Sequence, residues 1–202
     1  MSKILITGTT SGIGNYLGNL LKEKYQIIGL SKSENNIEGI DFLKINLENI
    51  EEINELKIEN IDYLILNAGI GFFDKFENIS LENHIKTINT NLIGNISLIH
   101  KLFNKINIGI IFIGSLSSKK SQKLGTSYCA SKFGLRGFAM SLKNENNGKK
   151  IFFINPKIVK SNLHKNSKIE IFGKFSETPI QEIGNCIENI LEKKETRFEI
   201  DL

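Results

Sequence analysis

"KILITGTTSGIG" (residues 3–14) runs from an apolar segment through a glycine-rich turn into a helical pattern. Ile4, Leu5 and Ile6 are continuously apolar, as expected of a strand covered on both faces. Gly8, Gly12 and Gly14 then let the backbone turn sharply and approach an anion, whose charge would meet the N-terminus of the next helix. Thr10, Ser11 and Ile13 fill the same loop. The glycine spacing departs from the GxGxxG of the usual dinucleotide fingerprint. Taken alone, the cluster fits either a dinucleotide-binding loop or a plain strand-to-helix turn.

The rest of the chain favours the former. Short apolar runs at 3–8, 26–31, 41–47, 61–69, 108–115 and 150–156 alternate with helical patterns at about 12–24, 48–57, 80–105 and 126–146. Such β-α repetition predicts an α/β fold, a Rossmann-like doubly wound parallel sheet of six to seven strands with helices on both faces. Residues 157–177 show no clean period and read as a loop or lid reaching to about 178. "TPIQEIGNCIENILEKK" then predicts a helix with Thr178 as N-cap, Pro179 in the first turn and Gln181 completing a capping box. "RFEIDL" (197–202) predicts a last strand. With no linker, repeat or low-complexity block, residues 1–202 are expected to form one domain.

Bulk properties narrow the function. The chain has 202 residues, 40% hydrophobic and 24% charged, with a net charge of +4. No run approaches the roughly 18 apolar residues of a membrane span, and no signal peptide is evident, so a cytoplasmic protein with no membrane partner is expected. Cys129 and Cys186 make no disulfide framework, and His84, His100 and His164 have no metal-binding spacing, so no metal is expected. Lysine pairs at 119–120, 149–150 and 193–194 lack interleaved aromatics, which argues against nucleic acid.

"SYCASKFGLR" (127–136) places Tyr128 and Lys132 on one helix face, four residues apart. A free tyrosine ionises near pH 10, so bringing it to neutrality would take about 3–4 kcal/mol of electrostatics. A nearly buried ammonium can contribute that; a solvated one cannot. The pair therefore reads either as an activated phenol or as surface decoration. Ser115, placed at the carboxyl end of the fifth strand, is where an α/β sheet binds ligands. Ser117 and Ser118 are its competitors.

Thr7-Gly8-xxx-Gly12-Ile13-Gly14, "NAG" at 67–69, Ser115 and Tyr128-xxx-Lys132 together resemble the short-chain dehydrogenase/reductase family, in its compact single-domain branch. The resemblance runs from residue 3 to about 161. It implies a catalytic set of Asn91, Ser115, Tyr128 and Lys132, acting on a small carbonyl or alcohol substrate by hydride transfer. Asn91-Leu92-Ile93-Gly94 matches the family's Asn-xx-Gly, which implies a local kink and a water linking Lys132 to solvent. The nicotinamide cofactor would lie along Gly8 to Gly14, with Asn46 and Leu47 beside the adenine and Asn67, Ala68 and Gly69 as its floor. Tyr128, Lys132, Pro156, Ile158 and Ser161 would meet its nicotinamide half. Ser31 and Lys32 at the end of the second strand suit a 2′-phosphate, implying NADP(H) in preference to NAD(H); Glu34 is the competing ribose acid. The resemblance further implies a homodimer or homotetramer paired through the helices at 80–105 and 126–146.

Two departures stand out. Lys157 follows Pro156 where the family has glycine, so either the turn is altered or Lys157 reaches the cofactor. The chain is also shorter than typical members, leaving Leu163, Ile169, Ile171, Phe172 and Phe175 to cover a substrate, with Phe72 and Phe73 available for the opposite wall. These departures motivate a rival reading, a catalytically weak NAD(P)-binding sensor or interaction protein on the same fold.

Overall fold

The computed structural model of the chain describes residues 1–34, 36–145, 148–164 and 176–202. Among these residues, seven strands form one parallel sheet: β1 (Lys3–Thr7), β2 (Gln26–Ser31), β3 (Asp41–Lys44), β4 (Ile61–Leu66), β5 (Ile106–Ile113), β6 (Lys150–Asn155) and β7 (Glu199–Asp201). Their order is β3-β2-β1-β4-β5-β6-β7. The chain builds outward from β1 to β3, then returns to the other side of β1 to lay down β4. That reversal opens a crevice between the carboxyl ends of β1 and β4, where such sheets bind ligands.

The continuous apolar runs are explained by burial on both faces. Alternate residues of a strand point to opposite sides. Leu5, Leu64, Phe112 and Phe153 pack toward Ile53 of α2 (Ile50–Glu55), Leu98 and Leu102 of α4 (Gly94–Leu102), and Leu135 and Ala139 of α5 (Thr126–Asn144). Ile4, Ile6, Ile65, Ile111 and Ile154 pack the other way, against Leu17 and Leu21 of α1 (Gly12–Leu21) and Ile183 and Ile187 of α6 (Ile180–Leu191).

The differences from sequence expectation lie at element ends. β3, β4 and β5 stop at residues 44, 66 and 113, short of 47, 69 and 115. Ile45 N–H still donates to Ser31 O (2.9 Å) and Gly114 N–H to Ile154 O (2.8 Å). Beyond those bonds the chain leaves the ladder to form the crevice. α2 starts at Ile50 rather than 48, because Asn49 Oδ1 accepts from Glu51 N–H (3.1 Å) and Glu52 N–H (3.3 Å). The helix expected over 80–105 is not continuous. It divides into α3 (Leu81–Ile88), a π-helical segment (Asn89–Ile93) and α4. Thr178 does not cap α6: Pro179 occupies the cap position, and the Thr178 hydroxyl accepts from Lys157 N–H instead (2.9 Å). The proposed lid falls largely at 165–175, including 169, 171, 172 and 175, outside the described residues.

The short edge strand β7 is held by charge. Glu199 accepts both Arg136 Nε–H (2.7 Å) and Arg136 Nη2–H (2.9 Å) as well as Asn155 Nδ2–H (2.9 Å). Lys119 Nζ reaches Glu199 (3.2 Å) and Asp201 (2.7 Å). The Arg136 fork is the main cause that holds the Glu199 carboxyl down at about 2, below its ordinary 4.5. A depressed carboxyl stabilises the fold above its unfolded pKa and ceases to do so as pH falls through the folded one. We expect Glu199→Gln to cost about 2 kcal/mol at neutral pH, after allowing for partial solvent screening. Urea unfolding of the two proteins should show that gap closing between pH 4.5 and pH 2; a gap independent of pH would contradict it.

Candidate active site

The crevice begins with a close approach of backbones. Gly8 has φ +77°, and a Cβ there would sit 2.9 Å from Ala68 Cα. Its N–H donates to Leu30 O (2.7 Å). Asn67 Nδ2–H donates to Thr7 O (2.9 Å), while the Thr7 hydroxyl accepts the N–H groups of Asn67 (3.0 Å) and Ala68 (2.9 Å). The turn after β1 and the turn after β4 are thereby fixed to each other. At the start of α1, Ser11 makes no side-chain cap and the first turn has no acidic residue, so the positive end of the helix faces the crevice without a neutralising group. Gly14 does not line the crevice. It lies beneath the loop, where a Cβ would be 2.2 Å from Gly8 O.

A cavity of about 990 Å³ extends across the sheet edge. Of the cofactor-binding residues read from the sequence, Gly8, Thr10, Ser11, Gly12 and Ile13 line it, as do Ser31, Lys32, Asn46 and Leu47. Asn67, Ala68, Gly69, Tyr128, Lys132, Pro156, Ile158 and Ser161 complete the wall. Two groups missed by motif reading stand at the β2 end, Ser33 and Glu48. Glu48 Oε1 lies 3.6 Å from Lys32 Nζ. Glu34, the competing ribose acid, does not line the cavity and is ion-paired with Lys44 (2.5 Å). No spacing rule marks Glu48; it is brought in by the turn that follows β3.

Tyr128 and Lys132 lie at the wall with 5% of their surfaces exposed. They share a face, as the spacing predicts: Lys132 Nζ is 5.8 Å from the Tyr128 ring centroid and donates to Ile113 O (3.0 Å). Phe73 packs against the same phenol, with centroids 5.2 Å apart. Ser115 lines the cavity together with Tyr128 and acts to lower the phenol's pKa. It sits two residues beyond β5 rather than at its end, where its Oγ accepts Ser117 N–H (3.1 Å). Its competitors are engaged elsewhere, Ser117 with Gln122 (2.7 Å) and Ser118 with Asn155 (2.7 Å).

Asn91 differs from expectation. It is fully buried and does not line the cavity. Its Oδ1 accepts Ile70 N–H (2.8 Å), and its Nδ2–H donates to Ile70 O (2.8 Å) and Ser131 Oγ (3.0 Å). Ser131 in turn donates to Tyr128 O (2.7 Å). The kink expected here is the π-helical segment. That segment turns Thr90 to the cavity wall with its buried Oγ1 lacking a hydrogen-bond partner among the described residues. Gly94 lets the helix approach: a Cβ there would lie 2.3 Å from Leu47 O.

The electrostatics also differ. Burial pushes the Tyr128 phenol up to about 12, against the lowering effect of Ser115. Burial brings the Lys132 ammonium down to about 8. In the chain by itself, desolvation thus governs the Tyr128 phenol, rather than the activation by Lys132 that the spacing suggests. At neutral pH the site holds a protonated phenol beside an ammonium. A phenol that keeps its proton suits the role of acid. Among the described residues there is no cluster of three or more metal-ligating side chains, and no helix is long and apolar enough to cross a membrane.

The chain is similar to known proteins in sequence and in fold. The family model for short chain dehydrogenase matches residues 2–171. A 3-oxoacyl-acyl-carrier-protein reductase of Buchnera aphidicola is 32% identical over 201 residues, covering 89% of this chain and 82% of that protein. An alcohol dehydrogenase from the archaeon Thermococcus sibiricus, solved with 5-hydroxy-NADP, superposes with a TM-score of 0.86 at 20% identity, covering 100% of this chain and 96% of that one. A 3-ketoacyl-(acyl-carrier-protein) reductase from Brucella melitensis, solved with NADH, has a TM-score of 0.87 at 15% identity over 100% of this chain and 96% of that one. These two structures establish likeness of fold.

The lowered Lys132 pKa has a thermodynamic signature. Between pH 8 and pH 10.5 the unfolded chain binds a proton that the folded chain has released, so stability rises with pH across that window. Relative to Lys132→Met, urea unfolding of the wild type should gain about 3 kcal/mol over this range. A difference that stays flat would show that Lys132 is not desolvated.

Proposed function

The chain belongs to the short-chain dehydrogenase family, and from that premise we propose that it reduces a small carbonyl compound with NADP(H), using Tyr128 as proton donor. Membership makes it an oxidoreductase. The observation that carries the proposal is that Ser115 and the buried Tyr128 line one cavity wall, with the Lys132 ammonium held 5.8 Å from the Tyr128 ring.

The residues present fit a dinucleotide. The Gly8–Gly14 loop and the uncapped N-terminus of α1 suit the pyrophosphate. Asn46 and Leu47 would meet the adenine, and Asn67, Ala68 and Gly69 the middle of the cofactor. Pro156, Ile158 and Ser161 would hold the nicotinamide half, with Lys132 near its ribose. Ser31, Lys32 and Ser33 form the set that favours a 2′-phosphate, with Glu48 balanced by Lys32 and Glu34 by Lys44.

When bound, the reduced cofactor supplies the hydride that attacks the carbonyl carbon. Ser115 donates a hydrogen bond to the carbonyl oxygen and stabilises the charge that develops there. Tyr128 passes its proton to that oxygen, so a C–H and an O–H bond form as the C=O π bond opens. The resulting phenolate is balanced by the Lys132 ammonium and recovers its proton from solvent. Asn91 is a positioning residue, since both its amide atoms are engaged in holding Ile70 and Ser131. We read residues 1–202 as one domain acting as a cytoplasmic homodimer or homotetramer. Leu81 and Ile85 on α3 and Phe133 and Met140 on α5 are exposed apolar groups suited to pairing these helices.

Tyr128→Phe should lower carbonyl reduction by at least about a hundredfold, the scale of a lost general acid, while NADPH fluorescence still reports binding. Retained turnover would remove Tyr128 from the role. Lys32→Glu should weaken NADPH binding about tenfold with little change for NADH, as expected for loss of a charge-assisted contact to the 2′-phosphate; equal effects on both would leave the 2′-phosphate without its partner.

A further inference from the structure

The residues lining the far side of the cavity raise a question about charge. Ser115 and Tyr128 mark where a carbonyl would lie, and two further lysines line the same cavity, Lys123 and Lys157. Both are exposed, and neither has an ion-pair partner among the described residues. Their backbones are fixed to the segment that carries Ser115. Leu116 N–H donates to Pro156 O (3.0 Å), placing Lys157 one residue beyond that contact. Ser117 Oγ–H donates to Gln122 Oε1 (2.7 Å) and Gln122 N–H to Cys129 Sγ (3.4 Å), which sets Lys123 beside Tyr128's neighbour. The root of Lys157 is fixed a second time by the bond from its N–H to the Thr178 hydroxyl (2.9 Å).

The turn bearing Lys123 is held in a costly conformation. Leu124 has φ +68°, a left-handed value that costs a leucine about 1 kcal/mol. Its carbonyl accepts Asp74 N–H (2.9 Å), and Gly125 packs against Phe73. The result places Leu124 in the cavity wall next to Phe73, with Val159 and Leu163 also contributing apolar surface. The acidic residue among the described lining residues is Glu48, at the opposite end and engaged with Lys32. The substrate end therefore combines an apolar strip with two ammonium groups that no carboxylate among the described residues neutralises. Lysine ammoniums are single-point donors to carboxylate and phosphate alike, so the pair suits an anionic group on the substrate, of which a carboxylate is the more compact.

We propose that the substrate is an oxo-carboxylate with an apolar body, its carboxylate held by Lys123 and Lys157 while its carbonyl meets Ser115 and Tyr128. This rests on the oxidoreductase reading above. It also accounts for the departure at residue 157: on this proposal the lysine replacing the family's glycine is a specificity determinant for the substrate.

The test is steady-state reduction by NADPH of a homologous series of oxo-carboxylates and of their methyl esters, with wild type, Lys123→Met, Lys157→Met and the double variant. We expect the preferred acid to exceed its ester in kcat/KM by at least about tenfold, the effect of one charge-assisted contact. Each variant should reduce the acid-to-ester ratio through KM with kcat within about twofold, and the double variant should bring it near unity. The acid's KM should rise with added salt while the ester's does not. Both lysines are exposed, so the variants should fold, which circular dichroism and NADPH binding verify. An ester or a neutral 3-oxoacyl pantetheine thioester that matches or surpasses every acid would overturn the proposal, as would a Lys157→Met variant whose main defect is a weaker NADPH affinity. Neutral carbonyls reduced in preference to acids would sink this inference and leave the oxidoreductase reading intact. If nothing in the series or in a neutral carbonyl panel turns over, both fall.

Discussion

Two ionisable side chains, Tyr128 and Lys132, are kept out of water next to each other, and much of the local structure exists to make that tolerable. An isolated buried ammonium is costly unless its hydrogens find acceptors. Lys132 gives one to the Ile113 carbonyl at the end of β5. Tyr128 is favoured in its charged form by Ser115 and is covered by Phe73. The helix that carries both is held from behind through Ser131, Asn91 and the Ile70 backbone. Asn91 can reach that position because the helix it belongs to passes through a π-helical segment.

The sheet determines where this pair can act. Strand order reverses between β1 and β4, so the turns after these strands diverge and leave a crevice. Thr7 and Asn67 tie the two turns together, and Gly8 allows their backbones to approach to a distance that no side chain would permit. The carboxyl ends of β5 and β6 bring Ser115 and Pro156 to the same edge, joined by the Leu116–Pro156 hydrogen bond. A cofactor groove and a proton donor are thus consequences of one topology, while Lys123 and Lys157 are particulars of this chain.

The strands and the order of motifs were legible because they depend on local pattern. Continuous apolar runs mean burial on both faces, and a four-residue spacing means a shared helix face; neither needs tertiary information. The parts that were not legible depend on competition between distant groups. Thr178 looks like a helix cap from its neighbours, but the Lys157 N–H claims its hydroxyl across the base of a loop. The π-helical segment has a marker in Asn91 and Gly94, yet its form is set by close packing on Leu47. Glu48 enters the cavity through a turn that no periodicity describes. The direction of the Tyr128 shift was likewise hidden, since spacing shows that Lys132 is near but not how much water both groups have lost.

The phenolate absorbance of Tyr128, taken as the difference between wild type and Tyr128→Phe during an alkaline titration, reads its ionisation directly. Free protein should show no phenolate from this residue until well above the ordinary value of 10, near the 12 that burial imposes. Saturation with oxidised cofactor should move the transition down. A phenolate already present near neutral pH in the free protein would contradict a site in which desolvation governs and the tyrosine stands ready as an acid.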